Sequence, residues 1–253
     1  MLYGENGMDI QSVIVFCMEI IGTVAFSASG AMVGINKSMD VFGVCVLGVF
    51  TAVGGGMARD MILCRVPSAL INPVYVAVAA ATAIVVFAVL WVKKEHFHGR
   101  FRMAYDSLML IMDSLGLGIF TVVGVLTGVK AGYPGNTFLL VFLGTLTGVG
   151  GGLIRDVMAG VPPYIFVKHI YALASIAGAV AFVILYRLFG EIIALIAASL
   201  LVVAIRLLAA HFHWNLRGLK STHRRNTEWT APSRFALHAR MTRQRCLKYT
   251  RRM

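Results

Sequence analysis

The sequence predicts an all-α membrane protein with seven transmembrane helices, laid out as two inverted three-helix repeats plus one extra helix (3+3+1). Three observations carry that expectation. Hydrophobic residues make up 58% of the chain and charged residues 13%, against about 45–50% and about 25% in ordinary soluble domains. Seven apolar stretches are long enough for a hydrocarbon core of about 30 Å, which takes about 20 residues of helix. A glycine-rich stretch in the first half recurs in the second.

The spans fall at roughly 12–35, 41–64, 73–92, 107–129, 137–159, 169–189 and 190–210. Unpaired backbone groups are too costly in lipid for anything but helices or a closed barrel, and these long unbroken runs lack the alternation of a barrel strand. Turn chemistry separates them. Asn36-Lys37-Ser38-Met39-Asp40 follows the first span and Arg65-Val66-Pro67 the second. Tyr133-Pro134-Gly135-Asn136 precedes the fifth and Val161-Pro162-Pro163 follows it, while Phe189-Gly190-Glu191 is a tight hairpin between the last two.

The chain then divides into an N-terminal extracytoplasmic segment (1–11), a first three-helix repeat (12–92), a basic cytoplasmic loop (93–106), a second repeat (107–189), a seventh helix (190–210) and a basic cytoplasmic tail (211–253). The tail holds 11 of the 23 Lys and Arg and a single acid, Glu228, so it carries most of the net charge of +12. No helix-turn-helix or zinc signature accompanies that charge, which argues against a nucleic-acid partner. Lys37, Lys93, Lys94, Arg100, Arg102 and Lys168 lie on the same side as the tail. By the excess of basic residues at cytoplasmic span ends, the N-terminus lies outside and the C-terminus inside. The first apolar stretch has no preceding Lys or Arg, so it is not read as a signal peptide. Cys17, Cys45 and Cys64 sit in apolar stretches at unrelated spacings and, with Cys246, form no disulfide frame or metal knuckle.

The repeat is specific. Leu47 to Asp60 aligns with Leu143 to Asp156 at an offset of 96, with nine of fourteen positions identical. Pro67 then meets Pro163 and Tyr75 meets Tyr171. Upstream, at an offset of 94, Glu19 meets Asp113, and Gly22, Gly30 and Gly34 meet Gly116, Gly124 and Gly128. Three spans are an odd number, so the second unit enters the membrane with opposite polarity. Inverted repeats of this kind are a recurrent transporter plan, with the solute site at the repeat interface.

The paired Gly-Gly-Gly-x-x-Arg-Asp motifs, the prolines after them and the 3+3+1 layout resemble the trimeric intracellular cation (TRIC) channel superfamily, over about residues 12–208. They are most similar to its bacterial branch, whose repeat is called a glycine transporter domain. The resemblance implies a homotrimer in the cell (inner) membrane, with one pore per subunit lined mainly by broken second and fifth helices. Members are described both as potassium-permeable channels and as glycine carriers, so a small cation and a small amino acid both stand as solutes. The eukaryotic branch has a lysine-containing motif at the breaks. This chain has Arg-Asp, so eukaryotic gating and lipid regulation do not carry over.

The candidate site residues follow. Gly54, Gly55, Gly56 and Gly150, Gly151, Gly152 lie mid-span, where each glycine costs a helix roughly 1 kcal/mol against alanine. The doubled triplet favours a break whose freed carbonyls and amides face a water-filled cavity. Close helix packing is the other reading. Arg59, Asp60, Arg155 and Asp156 follow the triplets. Neighbours in sequence do not face each other on a helix, so crossed pairs are expected, Arg59 with Asp156 and Arg155 with Asp60; lining of the pathway is the alternative. Glu19 and Asp113 either partner these arginines or line the pathway. The hydroxyls of Thr51 and Thr147 either replace the hydration of an ion or bond their own i−4 carbonyls.

No cofactor or metal is expected, and His96, His98, His211 and His213 read as interfacial surface. No His-Glu-x-x-His, Gly-x-Ser-x-Gly or phosphate-loop motif is present, so an intramembrane enzyme is the weakest function class. A scaffold acting on lipid through the basic tail is the alternative to permeation.

Overall fold

The structure is a computed structural model that describes residues 10–92, 100–167 and 170–212. The basic tail with Trp214 and Trp229, Cys246, most of the basic loop with His96 and His98, His213, Lys168 and the first nine residues lie outside the described residues. The helices are α1 (Ile10–Asn36), α2 (Val41–Ile62), α3 (Ser68–Ile71), α4 (Val74–Val92), α5 (Arg100–Lys130), α6 (Thr137–Met158), α7 (Tyr164–Val167), α8 (Ile170–Phe189) and α9 (Glu191–His211). Seven of these are long and apolar enough to cross a membrane, and no strand occurs among the described residues.

Helix starts follow local chemistry. The Asp40 carboxylate accepts from Gly43 N (2.8 Å) and opens α2. The Asn136 side chain accepts from Leu139 N (3.0 Å) and opens α6 at the equivalent position. Each satisfies an orphan amide of the first turn. Past the ends of α2 and α6 the chain turns through positive φ at Cys64 (52°) and Gly160 (63°), again at equivalent positions. The hairpin at Gly190 has φ 84° and joins α8 directly to α9.

Each half packs in the same pattern. α1 touches α2 and α4, and α2 touches α4; α5 touches α6 and α8, and α6 touches α8. The halves meet where α2 crosses α6 and α1 lies along α5, and α9 packs on α5 and α8. Phe26, Leu117, Val149, Tyr171 and Val202 form the cluster between the halves. A second cluster, with Val122, Leu140, Phe182 and Leu195, holds α9 to the second half. The outward faces carry large apolar side chains such as Phe42, Phe138 and Leu200, more than 60% exposed. A soluble monomer rarely shows so much contiguous apolar surface, and acyl chains account for it.

The expected breaks are absent. α2 runs unbroken through Gly54–Gly56 and α6 through Gly150–Gly152. Helical hydrogen bonding is retained because the triplets sit where two helices need backbone-to-backbone contact. A Cβ on Gly55 would stand 2.2 Å from the Thr147 carbonyl oxygen, and one on Gly151 would stand 2.2 Å from that of Thr51. Packing, the second reading of the triplets, is the one the structure follows. Small residues serve this purpose between membrane helices generally.

Candidate functional site

Asp60 and Asp156 sit in the last turn of α2 and α6. Arg59 donates from Nε to Asp60 Oδ1 at 2.8 Å, and its Nη2 lies 2.8 Å from the same oxygen. Arg155 Nε donates likewise to Asp156 Oδ1 at 2.8 Å. The crossed pairs Arg59–Asp156 and Arg155–Asp60 do not form. The rule that sequence neighbours diverge applies to Cβ directions, and an arginine is long enough to fold back around the helix onto the next residue.

The second oxygen of each aspartate ties down a short helix. Asp60 Oδ2 accepts from Ser68 N (2.8 Å) and Ser68 Oγ (2.9 Å). Asp156 Oδ2 accepts from Tyr164 N (2.9 Å). The aspartate therefore clamps its own arginine to the element that begins after Pro67 or Pro163. This explains why Gly-Gly-Gly-x-x-Arg-Asp is followed at fixed spacing by proline. All four charged side chains are buried, at 5% exposure or less.

Thr51 and Thr147 are buried as well, and their hydroxyls donate to the i−4 carbonyls of Leu47 and Leu143, at 2.6 Å in each case. The same oxygens press on Gly30 and Gly124, where a Cβ would stand 2.5 and 2.6 Å away. These hydroxyls follow the second reading, the bond to their own i−4 carbonyls, inside the packing of the helices.

The lone acids of the two halves behave differently. Asp113 is buried and accepts from Arg155 Nη1 (2.6 Å) on Oδ1, while Arg206 Nη2, from α9, approaches Oδ2 at 3.3 Å. Arg155 Nη1 also donates to Ser29 Oγ at 2.6 Å. Arg206 lies over the Tyr171 ring, 4.6 Å from its centroid. The buried Tyr171 hydroxyl has no hydrogen-bond partner among the described residues. Glu19, the counterpart of Asp113, is only half-buried. It accepts from Tyr75 Oη at 2.5 Å, and no described cation lies within ion-pair distance of it.

Glu19 lines a cavity that offers about 50 Å³ to water-sized molecules, room for a few waters at about 10–15 Å³ each. Thr23, Gly56, Arg59, Asp60, Ser68 and Tyr75 supply its polar side, and Ala52, Val53, Phe120 and Val123 its apolar wall. Of the six motif glycines only Gly56 lines it, and the nearest neighbour its Cβ would meet is Arg59 Nη2 at 3.7 Å. The equivalent Gly152 is covered by the Tyr171 hydroxyl, 2.5 Å from a Cβ built there.

Sequence reasoning did not single out Arg206, Ser29 or Ser68, and met Tyr75 and Tyr171 only as equivalent positions of the repeat. Arg206 carried a signal: it is a lone cation inside the last turns of an otherwise apolar span, and such a charge usually has a partner.

Fold and site define a multi-pass α-helical membrane protein with buried charges at the paired ends of α2 and α6 and a charged cavity beside the first of them. A family model described as Glycine transporter matches residues 16–91 and again residues 110–187, and the chain belongs to that family. The UPF0126 inner membrane protein YadS of Escherichia coli K12 is 33% identical over 205 residues, covering 81% of this chain and 94% of YadS. A prokaryotic TRIC channel crystallised in 0.5 M KCl superposes with a TM-score of 0.72 at 28% identity, covering 81% of this chain and 99% of the channel. The TRIC trimeric intracellular cation channel orthologue from Rhodobacter sphaeroides superposes at 0.69 with 30% identity, covering 80% and all of that chain. The chain thus belongs to the TRIC superfamily, as its doubled motif suggests.

Proposed function

We propose that this protein is a membrane permeation protein that moves a small monovalent cation, or a small amino acid such as glycine, through the cavity beside the α2–α6 crossing. The observation that carries the reading is the half-buried Glu19 carboxylate, facing a water-sized cavity next to Arg59 and Asp60. Ionisable groups at membrane depth are costly, and where they face a cavity and not a partner they mark solute paths. The structural neighbours are TRIC channels and the family is named for glycine transport, which supports both solutes.

In this reading Glu19, Arg59, Asp60 and Gly56 touch the solute. Asp113, Arg155 and Asp156 form the structural counterpart, while Gly54, Gly55, Gly150, Gly151, Thr51 and Thr147 hold the helices together. The two halves are inverted repeats. A two-fold axis in the membrane plane accounts for the reciprocal contacts of Gly55 with Thr147 and Gly151 with Thr51. The protein sits in the inner membrane as a homotrimer, N-terminus outside and C-terminus in the cytoplasm. Proteoliposomes assayed in parallel for potassium flux and labelled glycine uptake test this function. Flux of either solute above that of empty vesicles supports it, and the absence of both overturns it.

A further inference from the structure

The two halves differ by one charge. In the second half two acids, Asp113 and Asp156, meet two bases, Arg155 and Arg206. In the first half Glu19 and Asp60 correspond to the two acids, but only Arg59 corresponds to a base. That base is bound through Nε and Nη2 to Asp60 and acts on Glu19 only at longer range, which leaves Glu19 with the Tyr75 hydroxyl and no ion-pair partner among the described residues. The missing cation is the counterpart of Arg206. It comes from α9, the one long helix outside the repeated pattern, and no described element supplies a counterpart to the first half.

Where the protein supplies the cation, its binding geometry is visible. The Arg206 guanidinium has one nitrogen 3.3 Å from Asp113 Oδ2 and its centre 4.6 Å from the Tyr171 ring centroid. A carboxylate and a tyrosine ring together hold a weakly hydrated planar cation well. Where no described residue supplies one, the corresponding carboxylate and tyrosine, Glu19 and Tyr75, line the cavity instead. Its apolar wall suits a cation that surrenders its water readily.

We propose that the Glu19–Tyr75 cavity binds a compact organic cation of the guanidinium or primary-ammonium class, and that Arg206 is the same ligand built into the other half. The proposal rests on the reading of this cavity as the solute site. It deepens that reading by naming what the carboxylate is shaped to hold.

The test is thermal unfolding of the full chain in detergent at constant ionic strength. Guanidinium or methylammonium is added at low millimolar concentration, with sodium and potassium as controls. A ligand that binds only the folded state raises the melting temperature in a saturable way, by about 2–5 °C at roughly ten times its dissociation constant. The wild-type protein should show a clearly larger rise with the organic cations than with the alkali ions, and Glu19→Gln should abolish it. Arg206→Ala opens the second half, so it should melt lower and recover more on guanidinium addition than wild type does, and Arg206→Ala with Asp113→Asn should lose that extra recovery while keeping the wild-type rise. If Arg206→Ala does not fold, the comparison of wild type with Glu19→Gln decides alone. No rise in wild type, a rise that persists in Glu19→Gln, or an equal rise with potassium would overturn the proposal. The readout is binding and not flux: a shift without transport leaves the site standing, whereas transport without a shift removes the site and spares the permeation reading.

Discussion

Gly55 packs on Thr147 so closely that a methyl group on its Cα would stand 2.2 Å from the Thr147 carbonyl oxygen. That contact is backbone, so relief needs the two helices to separate. Gly55→Ala and Gly151→Ala should each destabilise the protein by about 1–3 kcal/mol, the usual cost of overpacking. Gly56→Ala meets nothing nearer than 3.7 Å and should be neutral or stabilising by up to roughly 1 kcal/mol, from helix propensity. Thermal unfolding of the three variants checks the order; equal effects would contradict the packing role.

The ion pairs lie within each motif, not across the repeats. A double-mutant cycle of Arg59→Ala with Asp60→Ala should show a coupling of about 1 kcal/mol or more. The cycle of Arg59→Ala with Asp156→Ala should be additive within about 0.5 kcal/mol, as expected for groups without a shared partner. Strong coupling in the second cycle would restore the crossed arrangement.

The aspartate clamp predicts a local effect. Asp60→Ala removes the acceptor of Ser68 N and Oγ, which should cost about 1–3 kcal/mol and speed amide exchange in the segment after Pro67. Hydrogen exchange by mass spectrometry reads this directly. Unchanged protection at residues 68–71 would show that the clamp holds nothing.

Much of the fold was legible in the sequence, because its signals were long and repeated. Seven apolar stretches gave the helices to within a few residues at most ends. The Leu47–Asp60 match to Leu143–Asp156 placed the paired charges at equivalent positions. The site was less legible, for two physical reasons. A glycine triplet is ambiguous between a broken helix and a close crossing, and only the partner helix decides. Ion pairing was misread because Cβ directions do not set the reach of an arginine. The unequal fates of Glu19 and Asp113 depend on Arg206, which belongs to no repeat and so could not be found by aligning halves.

Orientation gives a further prediction. Single cysteines at Asn136 and Ser221, in a cysteine-free background, should react with an impermeant label from opposite sides of the membrane. Labelling of both from the cytoplasm would overturn the assignment of the N-terminus to the outside.

The central claim is that Glu19, and not its counterpart Asp113, faces the permeating solute. Potassium flux and glycine uptake, measured side by side in proteoliposomes for the wild type and Glu19→Gln, test it most directly. The account predicts that Glu19→Gln retains the wild-type fold and melting behaviour without added cation, and loses roughly tenfold or more of whichever flux the wild type shows, as removal of a charge worth about 1.4 kcal/mol to the solute would give. Wild-type flux in Glu19→Gln, at equal protein incorporation, would contradict it.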